Sequence, residues 1–474
     1  MAAAMIDSVV FGSLWTGRHV RELFEEIPRT RAWLEIVAVL AEVQAEFELI
    51  PTNAASEIAL ACRTLKVDDA FLHDVRRGRE ASGHSMQGLI LAVQQCLTPE
   101  SAQWVYAGAT VQDLTDTWLM LTLRESRRLI EGDLEALDAT LATLARAHRD
   151  TLMAGRTHGQ QGLPITFGFK VAVWLTELRR HRCRVVEIGP RMDVVQLSGG
   201  VGSVSSFGPR GMEVQRRFAA RLGLQAPTIS WTNSRDVLAE WCTLLTLVTG
   251  TADRVGHEVY NLQRSEIGEL REGFVAGTVG SITMPHKRNP EIGEHLGTLA
   301  RLVRHLGAAV LEGLVHDHER DGRSWKTEWH AIPEATMLAA RAVELLGDVL
   351  RRLEVDAARM RSNLEGSGGF VLSEAVMLAL APRLGRDAAH RLIYELSIRA
   401  RERGQSFIDA VRAEPTVASV FSERDLDILL HYAAHAGQCA AMVDQVLAET
   451  DPHAAPLPRA GQDEGQGKAS SRSS

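Results

Sequence analysis

Ile130, Leu134, Leu137, Leu141 and Leu144 follow one another at intervals of four, three, four and three residues. That spacing keeps the apolar side chains on one stripe of an α-helix, and such a stripe has to be covered by other helices. The pattern returns in Leu296, Leu299, Val303, Leu306 and Val310, and a third run from about 334 to 353 carries Leu338, Leu345 and Val349. Nearer the N-terminus, after Pro28, the run RTRAWLEIVAVLAEVQAEF sets Trp33, Val37, Leu40 and Phe47 on one stripe. Convincing strand alternation is nearly absent. Long helices with few breakers predict an all-α helix bundle.

Two breaks divide that pattern. VYAGATVQD, around 105–113, precedes the first long helix, and LEVDAARMRSNLEGSGG, around 353–369, follows the last. The expected organisation is an N-terminal helical domain over 1–108, a central long-helix domain over 109–353 and a C-terminal helical domain over 354–450. The stretch 451–474, rich in Pro, Gly, Ser and charge, is expected to be disordered. With 474 residues, of which 45% are hydrophobic, the chain can build an ample core. A net charge of −8 with no Lys/Arg block argues against nucleic acid as the main partner. Five scattered cysteines without a C-x-x-C pair argue against a disulfide framework or a structural zinc, and suit a reducing cytoplasm. Neither a signal peptide nor a membrane span is legible, so a cytoplasmic protein is expected.

Three polar, unperiodic stretches interrupt the helices: GATVQDLTDT (108–117), GRTHGQQGLPITFG (155–168) and GTVGSITMPHKRNP (277–290). Each is expected at a helix end, where unpaired backbone N–H groups attract anions. They offer Thr110, Gln112, Thr157, Lys287 and Asn289 as donors, with His158 and Ser281 as proton carriers. That set fits a small polyanion such as a dicarboxylate. Taken singly, each has an ordinary reading: an N-cap for Thr110, a capping or core histidine for His158, a loop hydroxyl for Ser281. The third stretch resists it. Gly280-Ser281-x-x-Met284-Pro285-x-Lys287-x-Asn289-Pro290 specifies seven of eleven positions, and a purely structural turn has no need of a lysine.

That motif resembles the signature loop of the fumarase/aspartase superfamily, homotetrameric lyases that remove a proton and a β-leaving group from succinyl compounds. GATVQDLTDT is similar to the family's G-x-T-S-x-D-x-x-D-T element, GRTHGQ to its T-H-x-Q element and LQRSEIGEL (262–270) to its Q-x-E-x-G-E segment. The likeness spans roughly residues 10 to 450. It implies a general base at Ser281, with Lys287 and Asn289 holding the carboxylate that becomes dianionic in the transition state. It also implies that His158 protonates the leaving group, as in the adenylosuccinate-lyase branch, with Glu294 orienting it. Thr110, Gln112 and Thr157 would bind the second carboxylate, Gln263 the succinyl part and Arg320 an anionic group. His84 lies where that branch has a second histidine, beside the plainer reading of a surface or helix-cap residue. Gly277 and Gly280 would let the loop swing and close. No cofactor and no metal are implied.

The chain departs from the family pattern twice. Ile282 replaces the usual second serine of the loop, and Val111 the serine after Thr110; both remove a donor. The runs VVFGSLWTGRHVRELFEE and WKTEWHAIPEA (325–335) resemble bacterial 3-carboxymuconate cycloisomerases, which generally lack the T-H histidine present here. The adenylosuccinate-lyase branch's N-terminal Arg-Tyr element is missing. The favoured expectation is C–N elimination from a substituted succinate to give fumarate, from nitrosuccinate or an adenylosuccinate-type substrate. The alternative is lactonisation of the cycloisomerase type. Two further readings stand beside these: a crystallin-like structural protein, which would have lost the base or the histidine, and a metal enzyme using His316, His318, Glu319 and Asp321. The seams of the long helices are expected to be buried partly between subunits. The resemblance implies a homotetramer with a 20-helix core and sites built from three chains.

Overall fold

The computed structural model describes residues 4–273, 277 and 279–449; the tail over 451–474 lies outside the described residues. The fold is mostly helical, as the periodicity predicts. Helix α1 spans Glu26–Glu46, with Pro28 in its first turn, where a missing N–H costs nothing. Five long helices form the centre: α2 (Val111–Ala147), α3 (Phe167–Glu187), α4 (Asp236–Gln263), α5 (Glu291–Glu312) and α6 (Gly322–Arg351). α2 packs along α3 and α6, α4 along α5, and α5 along α6. α6 begins about three turns before the third run suggests, and continues through Pro333.

The predicted stripes are buried, but inside this chain. Ile130, Leu134, Leu137 and Leu141 on α2, and Leu296, Leu299, Val303 and Val310 on α5, belong to one continuous core. The chain's own helices cover these side chains, while Leu144 and Leu306 of the same stripes are half-buried. The apolar side chains that the bundle leaves exposed are others, among them Val173, Leu247, Leu302 and Leu311.

The second polar stretch is no helix-end loop. It forms an antiparallel hairpin, β1 (Leu152–Thr157) with β2 (Gln160–Thr166), paired from Leu152↔Thr166 to Thr157↔Gln160. A register shift between Ala154 and Arg156 marks a bulge. The two tip residues, His158 and Gly159, both take positive φ, +52° and +75°. That pair makes a two-residue tip of the kind whose twist matches a hairpin, at the expense of placing a non-glycine residue in the left-handed region. The hairpin packs on helix α7 (Ala357–Glu365).

Beyond α7 a second, smaller core gathers Leu364, Val376, Leu380, Ile393, Phe407 and Leu426, joined by Ala154 of the hairpin. The last helix, α8 (Cys439–Ala448), returns to α3 and contributes Val443 to the main core. A second pair of short strands, β3 (Leu270–Arg271) and β4 (Glu354–Val355), ties the segment after α4 to the one after α6. No single helix among the described residues is long and apolar enough to cross a membrane.

Candidate active site

The first polar stretch ends at Thr110, the residue before α2. Asp113, one turn in, accepts the Thr110 N–H at 2.9 Å, and its other oxygen accepts the Ser198 N–H at 2.7 Å. The Gly199 N–H also points at this carboxylate. Burial pushes the Asp113 carboxyl up to about 6 in spite of these three backbone donors. The Thr110 hydroxyl accepts from Arg320 Nη1 at 3.0 Å, and Arg320 Nη2 donates to Gly199 O at 3.4 Å. Arg320 Nε is buried and has no partner among the described residues. A half-buried guanidinium therefore stands at the positive end of a 37-residue helix, a position that favours negative charge.

Gln112 is placed otherwise than expected. It is fully buried, and its Nε2 donates to Thr232 O at 2.7 Å, so the structure ties it to the protein's own backbone. Behind it lies a charge cluster that the sequence does not announce. Arg235 donates to Asp116 at 2.7 Å and to Glu328 at 2.5 and 2.9 Å, and all three side chains are nearly inaccessible. Two carboxylates facing one guanidinium hold the starts of α2, α4 and α6 together.

The third stretch caps α5. Ser281 Oγ accepts the Met284 N–H at 3.1 Å, and the Lys287 N–H donates to Met284 O at 3.0 Å. The loop is folded back on itself, so that a Cβ at residue 280 would lie 2.6 Å from Lys287 O. Gly280 thus has a packing reason to be glycine, whereas Gly277, at φ +91°, has a conformational one. The Lys287 side chain is exposed and Asn289 is half-buried. Gln263, the last residue of α4, clamps this loop: its Nε2 donates to Arg288 O at 3.0 Å and its Oε1 accepts the Glu272 N–H at 2.8 Å. Glu272 in turn accepts the Gly293 and Ile292 N–H groups at 2.7 and 3.2 Å, standing in for the side-chain cap that Pro290 cannot supply. Glu294 is exposed in the first turn of α5.

His158 and Thr157 are exposed at the hairpin tip, and among the described residues no hydrogen bond joins His158 to Glu294. His84 sits in an exposed turn, where its Nδ1 accepts the Met86 N–H at 3.4 Å. The run that raised the metal alternative is arranged for other ends. Asp321 accepts from Arg323, His316 has both ring nitrogens buried, and no group of three or more His, Cys, Asp or Glu among the described residues is placed to hold a metal ion.

These pieces lie at two ends of the molecule. α2, with 37 residues, is roughly 55 Å long and separates Thr110 from the His158 hairpin; α5, with 22, is roughly 33 Å long and separates the Ser281 loop from the segment bearing Arg320. One chain brings together Thr110 with Arg320, and the Ser281 loop with Gln263, but not the two groups.

The comparisons with known proteins agree with this architecture. A family model described as "Lyase" matches residues 17–304, and one described as "Adenylosuccinate lyase C-terminus" matches residues 369–446. An N-acetyl-S-(2-succino)cysteine lyase of Enterococcus italicus is 37% identical, covering 94% of this chain and 98% of that protein. A 3-carboxy-cis,cis-muconate cycloisomerase of Pseudomonas aeruginosa is 36% identical, covering 93% of this chain and 96% of that one. Among solved structures, the 3-carboxy-cis,cis-muconate lactonizing enzyme from Pseudomonas putida superposes with a TM-score of 0.86 at 35% identity, over 93% of this chain and 98% of that one.

Proposed function

The chain belongs to the lyase family of the fumarase/aspartase superfamily, and from that premise we infer that it eliminates a heteroatom-linked group from carbon 2 of a substituted succinate to give fumarate. The observation that carries this reading is the presentation of His158. It stands exposed at the hairpin tip, in a backbone conformation that costs a non-glycine residue energy, without a hydrogen bond among the described residues. An unspent imidazole can hand a proton to a leaving group, and an amine cannot leave carbon without one.

In the reaction so read, Ser281 as an alkoxide takes the proton from carbon 3. A serine hydroxyl is far too weak an acid to ionise unaided, so Lys287 and loop amides must stabilise it as the loop closes on substrate. Lys287 and Asn289 take the charge that spreads into the adjacent carboxylate. The carbon–heteroatom bond breaks, its electron pair leaves with the heteroatom, His158 supplies a proton there, and the carbon 2–carbon 3 double bond forms. Glu294 orients His158. Thr110 and Arg320 at the start of α2 hold the second carboxylate, beside Thr157, Gln263 and His84. The separation of these groups along α2 and α5 means that they act together only when different copies of the chain contribute them. The exposed Val173, Leu247, Leu302 and Leu311 supply an apolar face for that association, as a homotetramer with shared sites.

Nitrogen as the leaving atom fits a proton donor in an adenylosuccinate-type compound, whose amine needs the proton; nitrosuccinate, whose nitrite leaves as a stable anion without one, is the other nitrogen substrate considered. Sulfur is the second reading, favoured by the similarity to N-acetyl-S-(2-succino)cysteine lyase over nearly the whole chain. The deciding experiment is NMR product analysis of the purified protein with nitrosuccinate, adenylosuccinate, N-acetyl-S-(2-succino)cysteine and 3-carboxymuconate, each alone. Fumarate from one of the first three is the expected result and names the leaving atom. A lactone from the fourth, with no fumarate from the others, would overturn the reading in favour of cycloisomerisation.

A further inference from the structure

The bulge between Ala154 and Arg156 divides the hairpin, leaving a short outer part, residues 156 to 161, that carries His158 at its tip. What holds this outer part is a carboxylate from elsewhere. Glu269, fully buried, takes two parallel hydrogen bonds from Arg156, Nη2 to Oε1 at 2.6 Å and Nη1 to Oε2 at 2.9 Å. Asn363 of α7 donates to the same carboxylate at 2.8 Å and with the same amide to Ile267 O at 2.8 Å. The Glu269 backbone is fixed as well: its N–H donates to Leu262 O at 2.8 Å and its carbonyl accepts the Asp356 N–H at 3.0 Å. Leu262 is followed by Gln263, whose amide clamps Arg288 and Glu272 at the root of the Ser281 loop. On the other strand, Gln161 Nε2 reaches Asn363 O at 3.2 Å.

We propose that Glu269 and Arg156 are positioning residues: their two-pronged buried ion pair fixes the His158 hairpin to the same strut that carries the Ser281 loop. The proposal rests on His158 being the proton donor. A buried ion pair is weak evidence for stability, because desolvation offsets much of the attraction; its strength lies in geometry, since two parallel bonds admit one orientation. Here that orientation is passed through two residues to the tip. Arg156 has no need to touch substrate for this, and neither does Glu269.

The test is a double-mutant cycle with Glu269→Gln and His158→Ala, following fumarate formation from the compound of the panel above that yields it. Misplacing a reacting group by about 1 Å costs on the order of 100-fold, so Glu269→Gln alone is expected to lower kcat by about that factor while KM changes little. In the His158→Ala background it is expected to cost less than roughly threefold, because there is no imidazole left to misplace. An equal loss in both backgrounds, or no loss in either, overturns the proposal. His158→Ala alone separates this from the underlying reading: if that variant keeps the wild-type rate, the proton-donor assignment falls whatever Glu269 does. Should Glu269→Gln fail to fold, Arg156→Lys, which keeps the charge but loses the two-pronged geometry, runs the same cycle and decides it by the same two outcomes.

Discussion

Arg320 donates to the Thr110 hydroxyl at 3.0 Å across 210 residues of sequence, which sets a guanidinium against the first turn of α2. Its Nη2 is turned to Gly199 O, and its Nε has no partner among the described residues. A carboxylate arriving here would meet the half-buried guanidinium, the hydroxyl and the positive end of the helix together. Arg320→Lys is expected to raise KM for a succinyl substrate by about tenfold, since a lysine cannot reproduce the forked geometry. Steady-state kinetics checks this; a variant whose KM is unchanged would remove Arg320 from the site.

Ser281 and Lys287 give a contrasting expectation. Among the described residues the Ser281 hydroxyl makes one hydrogen bond, accepted from Met284 within its own loop, and the Lys287 side chain is exposed, so neither supports the core. Ser281→Ala is expected to reduce turnover by about 10²–10⁴, the usual worth of a positioned base. Lys287→Met should lose on the order of 10²–10³, the worth of one donor to developing negative charge. Thermal unfolding of both should match the parent protein. A shifted melting temperature would mean that the loss of activity is structural.

Arg235 should behave in the opposite way. It is inaccessible and shared between Asp116 and Glu328, so removing it leaves two carboxylates buried without a counter-charge. Burial already holds the Glu328 carboxyl above its usual range in spite of the guanidinium beside it. Arg235→Met is expected to cost about 3–5 kcal/mol in urea denaturation, in the range for breaking one side of a buried pair. A cost below about 1 kcal/mol would show that the cluster relaxes or hydrates.

The contrast between these residues also explains what could be read from sequence. The bundle was legible because a 4-3 spacing has one meaning, and its side chains at 130, 134, 137 and 141 are indeed buried. The Ser281 motif was legible because its residues are neighbours in sequence. The hairpin was not, since its strands, LMAGRT and QQGLPIT, show no apolar–polar alternation and bury only Met153, Ala154, Pro164 and Thr166; the turn is set by backbone conformation at His158 and Gly159. The Arg235 cluster was invisible for another reason. Its partners lie 93 and 119 residues away, and no local pattern records such a meeting. Glu269 stood inside a quoted motif, yet its role depends on Arg156 and Asn363, which that motif does not contain.

Asp113 gives a pH signature. Burial holds its folded-state carboxyl near 6, against an ordinary value of 3.8. Between those two values the folded protein keeps a proton there that the unfolded chain has released, so lowering the pH from about 6 to 4 adds stability through this group, and raising it removes that stability. Other groups titrate in the same window. The useful quantity is therefore the stability of the parent protein minus that of Asp113→Asn, measured by urea denaturation across the interval. It is expected to grow as the pH falls from 6 to 4; a flat difference would mean that Asp113 is charged in the folded protein throughout.

The two-ended layout leads to the last expectation. Thr110 and Arg320 sit at one end of the bundle and the Ser281 loop at the other, with α5 alone placing roughly 33 Å between them. No loop closure covers that distance, whereas a second copy running the other way would bring one chain's start of α2 to another's Ser281 loop. If, as the resemblance implies, each site takes its serine and its histidine from different chains, Ser281→Ala and His158→Ala proteins, each strongly impaired, should regain activity when mixed under reversible dissociation. Some hybrid sites then draw an intact serine from one parent and an intact histidine from the other. The recovered rate should depend on the mixing ratio, peak near equal amounts, and be absent when the two are combined without dissociation. Hybrids that stay inactive, with assembly confirmed by light scattering, would show that the serine and the histidine of each site come from the same chain.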